Sequence, residues 1–110
     1  MTADDFRRLA LALPEAVEQG HMGHPDFRVG GKIFAGLDQT GDRATVKLTP
    51  DQQDVLRSTE PAAFTPCAGA WGMRGWTHLI LAVASQDLAR SVLRLAWRNS
   101  APAKLLASVP

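Results

Sequence analysis

Two adjacent glycines, Gly30-Gly31, separate the apolar-rich runs 27–29 and 32–37. A Gly-Gly pair supplies the positive φ angles of a two-residue hairpin turn, so the two runs are expected to pair as antiparallel strands. This turn constrains the fold more than any other feature, because it commits the middle of the chain to sheet. Thr40-Gly41-Asp42 reads as the next turn. Residues 43–48 then alternate, with Ala44, Val46 and Leu48 on one face and Arg43, Thr45 and Lys47 on the other. Strict alternation marks a strand with one buried and one wet face. A short first strand is expected over 16–21, a brief one over 64–67 and a central strand over 76–84. The segment 69–75, rich in Gly and Trp, reads as a loop.

Helix signals bracket the sheet. Thr2 is positioned as an N-cap with Asp5 at the capping-box position. Phe6, Leu9, Ala10 and Leu13 follow at the spacing of one helical face, and Pro14 stops the helix. Thr49-Pro50-Asp51-Gln52 carries the strongest start signal: a cap, a proline at the first helical position and a capping-box glutamine. A last long helix is expected over 86–100, capped by Ser85, with Leu88, Val92, Leu95 and Ala96 as its buried stripe. Pro102 interrupts it, and 101–110 is expected to be one more turn or a frayed tail. Residues 1–110 therefore read as a single α+β domain: an antiparallel sheet of about five strands, backed on one face by N-terminal and C-terminal helices.

The charge bounds the partners. Twelve Lys and Arg against eleven Asp and Glu give a formal net charge of +1. No global field draws the chain to nucleic acid or to an anionic membrane, so any such role rests on a local patch. Cys67 is the one cysteine, which excludes an intrachain disulfide and suits a reducing compartment. The acidic start Asp4-Asp5 is unlike a signal peptide, and no apolar run reaches the length of a membrane span. A cytoplasmic location and no membrane partner are the expectations.

The stretch Gly23-His24-Pro25-Asp26-Phe27-Arg28-Val29-Gly30-Gly31-Lys32-Ile33-Phe34-Ala35 resembles the central signature of the MmcQ/YjbR family. Val46-Lys47-Leu48 is similar to the family's next strand, and Trp71-Gly72-Met73-Arg74-Gly75-Trp76-Thr77 to its aromatic loop and following strand. The resemblance runs from about Thr2 to Trp97 with spacing intact. It implies a frataxin-like α+β fold. It also implies a DNA-binding role through a double-wing surface built from hairpins, and it supplies no catalytic residue set.

The residues that carry such a role are basic. If Phe27 and Val29 point inward, Arg28 points out, and Arg43 and Lys47 share the wet face of their strand. Lys32 and Arg74 lie at hairpin ends. Arg28, Lys32, Arg43, Lys47 and Arg74 are thus the candidate nucleic-acid contacts, with Asp26, Asp38 and Asp42 nearby to dilute them. An ordinary solvated sheet face accounts for the same residues. Arg90, Arg94 and Arg98 recur every fourth residue as one helical stripe, which reads as a solvated face or a partner groove. His21, His24, His78 and Cys67 are metal-capable types without a paired ligand motif, so no metal and no cofactor is expected. Cys67 lacks a placed base, and no hydrolase signature is present, so no catalytic residue is assigned and no enzyme is expected. The alternative to DNA is a protein- or small-ligand-binding adaptor. An exposed apolar patch bordered by Trp71 or Trp76 favours that alternative.

Overall fold

The computed structural model describes residues 1–21 and 23–108; the side chain of His21 is also outside the description. The chain runs α1 (Ala3–Leu11), β1 (Val17–His21), β2 (His24–Val29), β3 (Lys32–Leu37), β4 (Arg43–Lys47), α2 (Pro50–Thr59), β5 (Phe64–Pro66), α3 (Gly69–Met73), β6 (Trp76–Ile80), α4 (Gln86–Ser100) and α5 (Ala103–Leu106). Among the described residues the six strands form one sheet in the order β1-β2-β3-β4-β6-β5, every pair antiparallel. No described helix is long and apolar enough to cross a membrane.

Local signals set the element ends. Gly30 and Gly31 both have positive φ, 58° and 80°, the pair of values a type I′ hairpin turn requires. Thr2 and Asp5 close a reciprocal capping box on α1, and Thr49 and Gln52 close one on α2. Ser85 accepts from the Leu88 amide at the start of α4. β2 begins three residues earlier than its apolar run, at His24, because β1 offers a partner all the way to His21.

One irregularity shapes the sheet. Phe27 pairs with Ala35, but Arg28 pairs with Ile33, so β3 carries an extra residue, Phe34. The bulge lets the consecutive residues Phe34 and Ala35 both point into the core, where each is fully buried. On the inner face, Phe27, Ala35 and Val46 lie in one row and Leu37, Ala44, Leu79 and Phe64 in the next. Helices α1 and α4 pack over β3 and β4 on this face. The buried stripe of α4 is Ala89, Val92, Leu93, Ala96, Trp97 and Ser100, with Leu88 and Leu95 only half-buried. The helix is therefore rotated from its expected phase, because the large Trp97 ring takes the core position and its indole N–H donates to the Pro14 carbonyl at 2.9 Å.

Two further expectations are corrected. The segment 69–75 is not a loop but holds the one-turn helix α3. Tertiary contacts override its poor helix propensity: the buried Gln53 amide donates to the Gly72 carbonyl at 3.1 Å, the Trp76 carbonyl at 3.2 Å and Thr77 Oγ1 at 2.9 Å. The strand expected over 76–84 stops at Ile80, opposite Arg43, where its neighbour β4 begins. The chain beyond it folds back through a Val83 N–H to Ile80 carbonyl bond.

Candidate functional site on the open sheet face

The helices cover one face of the sheet and leave the other open. Register puts Gln19, Asp26, Gly36, Thr45, His78 and Thr65 in a single row across all six strands of that open face. Every member is polar or glycine, as a solvated row should be. Beside the row runs a groove of about 370 Å³. One wall is His24, Pro25, Asp26 and Ile33, and the other is Trp71, Trp76 and Cys67. Gly36 and Thr45 lie between them.

The tryptophan wall is built by the α3 corner. Trp71 and Trp76 meet edge to face with ring centroids 6.3 Å apart. Trp71 is 60% exposed and Met73 is 81% exposed, so the corner is an apolar patch open to solvent. Arg74 lies over the Trp71 ring at 5.8 Å and Lys47 over the Trp76 ring at 5.5 Å. Such contacts hold each cation beside its ring. Lys47 Nζ also donates to the Arg74 carbonyl at 2.9 Å, which ties β4 to the turn before β6.

The five basic candidates differ in their surroundings. Arg28 and Asp26 stand two apart on β2, and the guanidinium holds both carboxylate oxygens, at 2.8 and 3.2 Å. Arg43 faces Asp38 at 3.5 Å across the β3–β4 turn. Two of the five positive charges are thus neutralised locally. Lys32, Lys47 and Arg74 have no ion pair among the described residues, and of these Lys47 and Arg74 sit at the tryptophan corner. The β2–β3 hairpin is not a free wing: a Cβ built on Gly30 would meet Pro102 Cδ at 2.8 Å, so the segment before α5 backs its tip.

Arg90, Arg94 and Arg98 do share one stripe. With Ser91 and Leu95 they line a shallow hollow of about 400 Å³ on α4, on the helical side of the molecule. Arg90 is held by Asp87 at 2.9 Å. Among the described residues no three His, Cys, Asp or Glu side chains gather at metal-binding distance. The candidate ligand His21 falls outside that description.

His78 and Cys67 do come near each other, through β5–β6 pairing. Thr65 is opposite His78, and the Cys67 amide donates to the Trp76 carbonyl at 3.0 Å. Burial pushes the Cys67 thiol above its ordinary value, and the Arg43 charge only partly opposes this. A thiol in that state is a poor nucleophile. His78 Nδ1 is buried and has no hydrogen-bond partner among the described residues. Burial lowers the His78 pKa, the Arg43 charge lowers it further, and Asp38 works the other way.

This arrangement has a signed consequence. A histidine depressed in the folded state contributes stability that is present above 6.5 and lost as pH falls through the folded value. An NMR titration is expected to give a His78 midpoint below 6.5. Arg43→Ala should raise that midpoint and Asp38→Asn lower it. A midpoint at the ordinary value, unmoved by either change, would contradict the cluster.

Several groove residues escape the sequence reading. Gly36 carries no role in the sequence pattern, Pro25 and Ile33 enter it only within the family-like signature, and Asp26 and Asp38 only as diluting charges. The available signal was Gly36 itself, a lone glycine inside a strand pattern, which often marks close approach of a ligand or backbone.

No curated protein matches the chain. Among solved structures, the crystal structure of Deinococcus radiodurans protein DR2400, with the DUF419 family-model domain, is similar at 25% sequence identity. The match covers 87% of this chain and 75% of that one, with a TM-score of 0.73. A family model described as YjbR matches residues 11–99, and with the open sheet, the hairpin signature and the aromatic corner all inside that span, the chain belongs to the YjbR family.

Proposed function

We propose that the chain is a non-enzymatic recognition module whose ligand lies in the groove on the open face of the sheet. The observation that carries this reading is the exposed Trp71–Trp76 corner facing Pro25 and Ile33 across Gly36. An apolar slot with a few polar groups at its border is the usual form of a small-ligand site. Its volume of about 370 Å³ is within the range such sites span. The raised Cys67 thiol supports a binding role over a nucleophilic one. The lone Cys67 supports a reducing compartment such as the cytosol.

A second reading, contact with DNA phosphates, is favoured by Lys47 and Arg74, which stand at the tryptophan corner without an ion pair among the described residues. Against it stand the Asp26–Arg28 and Asp38–Arg43 pairs and the net charge of +1. Duplex binding that depends on several phosphates falls steeply with salt.

The two readings separate on a labelled mixed-sequence duplex, measured by fluorescence anisotropy at low and at physiological salt. The groove reading predicts weak binding with a shallow salt slope, little changed in an Arg28/Arg43/Lys47 alanine variant. Tight binding with a steep slope, lost in that variant, would put duplex DNA first and the groove second.

A further inference from the structure

We infer that the groove seats one flat heteroaromatic ring whose substituent carries an anionic group. That is the chemistry of a nucleotide, either free or within a single strand. This deepens the groove reading and rests on it.

Gly36 is the first ground. It sits inside β3, where a glycine weakens a strand relative to a residue with a side chain to pack. Seven other glycines of the described chain have the positive φ that demands glycine, and Gly36 does not. A Cβ there would come within 3.1 Å of Thr45 Oγ1 and 3.4 Å of the Pro25 carbonyl, which is tight but not prohibitive. Neither turn geometry nor severe packing accounts for the residue. Its effect is a bare patch of backbone midway between the Pro25–Ile33 wall and the tryptophans.

The second ground is shape and charge. The slot is mainly apolar and closed at one side by two indoles, and flat rings stack on such surfaces whatever their substituents. Lys47 and Arg74 stand beside those indoles, and neither has a carboxylate partner among the described residues. An anion attached to the ring is matched there. Asp26, on the opposite wall, is held by Arg28, and its carboxylate oxygens keep lone pairs for ring N–H donors. A ligand oriented with its anion toward Trp71 satisfies both ends.

The probes are adenosine monophosphate, adenosine, a short oligodeoxyadenylate and indole, each titrated into the full chain by calorimetry and amide-shift NMR. Adenosine monophosphate should shift Gly36, Thr45 and the Trp71 and Trp76 indoles, and adenosine should bind about tenfold more weakly for want of the charge-assisted contact. Trp71→Ala, at an exposed position that leaves the core intact, should abolish the shifts, and Gly36→Leu should block the slot. A free nucleotide as source predicts equal affinity for monophosphate and oligomer, and a strand predicts a tighter oligomer. If indole occupies the groove and neither nucleotide does, the inference falls and the groove reading stands. If no probe reaches the groove, both fall. Nucleotide binding that survives Trp71→Ala and Gly36→Leu unchanged also overturns the inference.

Discussion

Gly75→Ala is expected to cost well over 3 kcal/mol of the roughly 5–15 kcal/mol that stabilises a domain of this kind. Gly75 has φ +107°, and a Cβ there would lie 1.9 Å from the Leu48 carbonyl oxygen and 2.7 Å from its carbon. The left-handed backbone alone costs about 1–3 kcal/mol for a residue with a side chain. The overlap then forces Leu48 away, and with it the bond from the Leu48 amide to the Gly75 carbonyl at 3.2 Å. Leu48 is a core residue, 1% exposed, so the displacement reaches the inner face of the sheet. Urea denaturation measures the loss. Gly31→Ala is the internal control: its φ of +80° is also positive, but no atom of the described residues lies within 4 Å of the added carbon. That change should cost only the backbone contribution, about 1–3 kcal/mol. Equal costs for the two glycines would show that the Gly75–Leu48 contact is not as close as the structure has it.

Trp97→Ala is expected to cost about 3–5 kcal/mol. Trp97 is 2% exposed and packs in the core cluster between α4 and the sheet. Its loss opens a cavity and also strips the Pro14 carbonyl of its indole donor. Trp97→Phe largely separates the two effects, since it keeps most of the volume and removes the hydrogen bond, worth about 1 kcal/mol. Thermal unfolding of both variants orders them as alanine well below phenylalanine, and phenylalanine below the parent. A Trp97→Ala variant within 1 kcal/mol of the parent would contradict the placement of this ring in the core.

These two residues also mark where the sequence was and was not legible. Local grammar read well. The positive φ of Gly30 and Gly31, the capping boxes at Thr2 and Thr49 and the alternation through Ala44, Val46 and Leu48 each depend on a few neighbouring residues. What depends on distant contacts read poorly. α3 forms because Gln53, some twenty positions earlier, supplies donors to its carbonyl and to β6. The phase of α4 follows Trp97, whose partner Pro14 lies at the other end of the chain. The Phe34 bulge needs the register of two strands to be known.

The candidate site shows the same division. Arg28 was legible as outward-facing, and so was Asp26, because residues two apart on a strand share a face. Their mutual pairing follows from that and weakens the basic patch. The Arg43–Asp38 pair depends on the shape of the turn between them, where Asp38 Oδ1 accepts from the Gly41 amide at 2.8 Å. The groove was not legible, since its walls come from β2, β3 and the α3 corner, which only the sheet order brings together.

The central claim is that recognition happens on the open face, between Pro25 and the tryptophan corner, and not on the arginine stripe of α4. A titration of the isotopically labelled chain with a set of flat aromatic fragments, read by amide and indole NMR shifts, tests it most directly. The account predicts shifts at Gly36, Thr45, Trp71 and Trp76, with Ser91 and Leu95 unmoved. Shifts centred on Ser91 and Leu95, or fragments that leave Gly36 and both indoles unmoved, would contradict it.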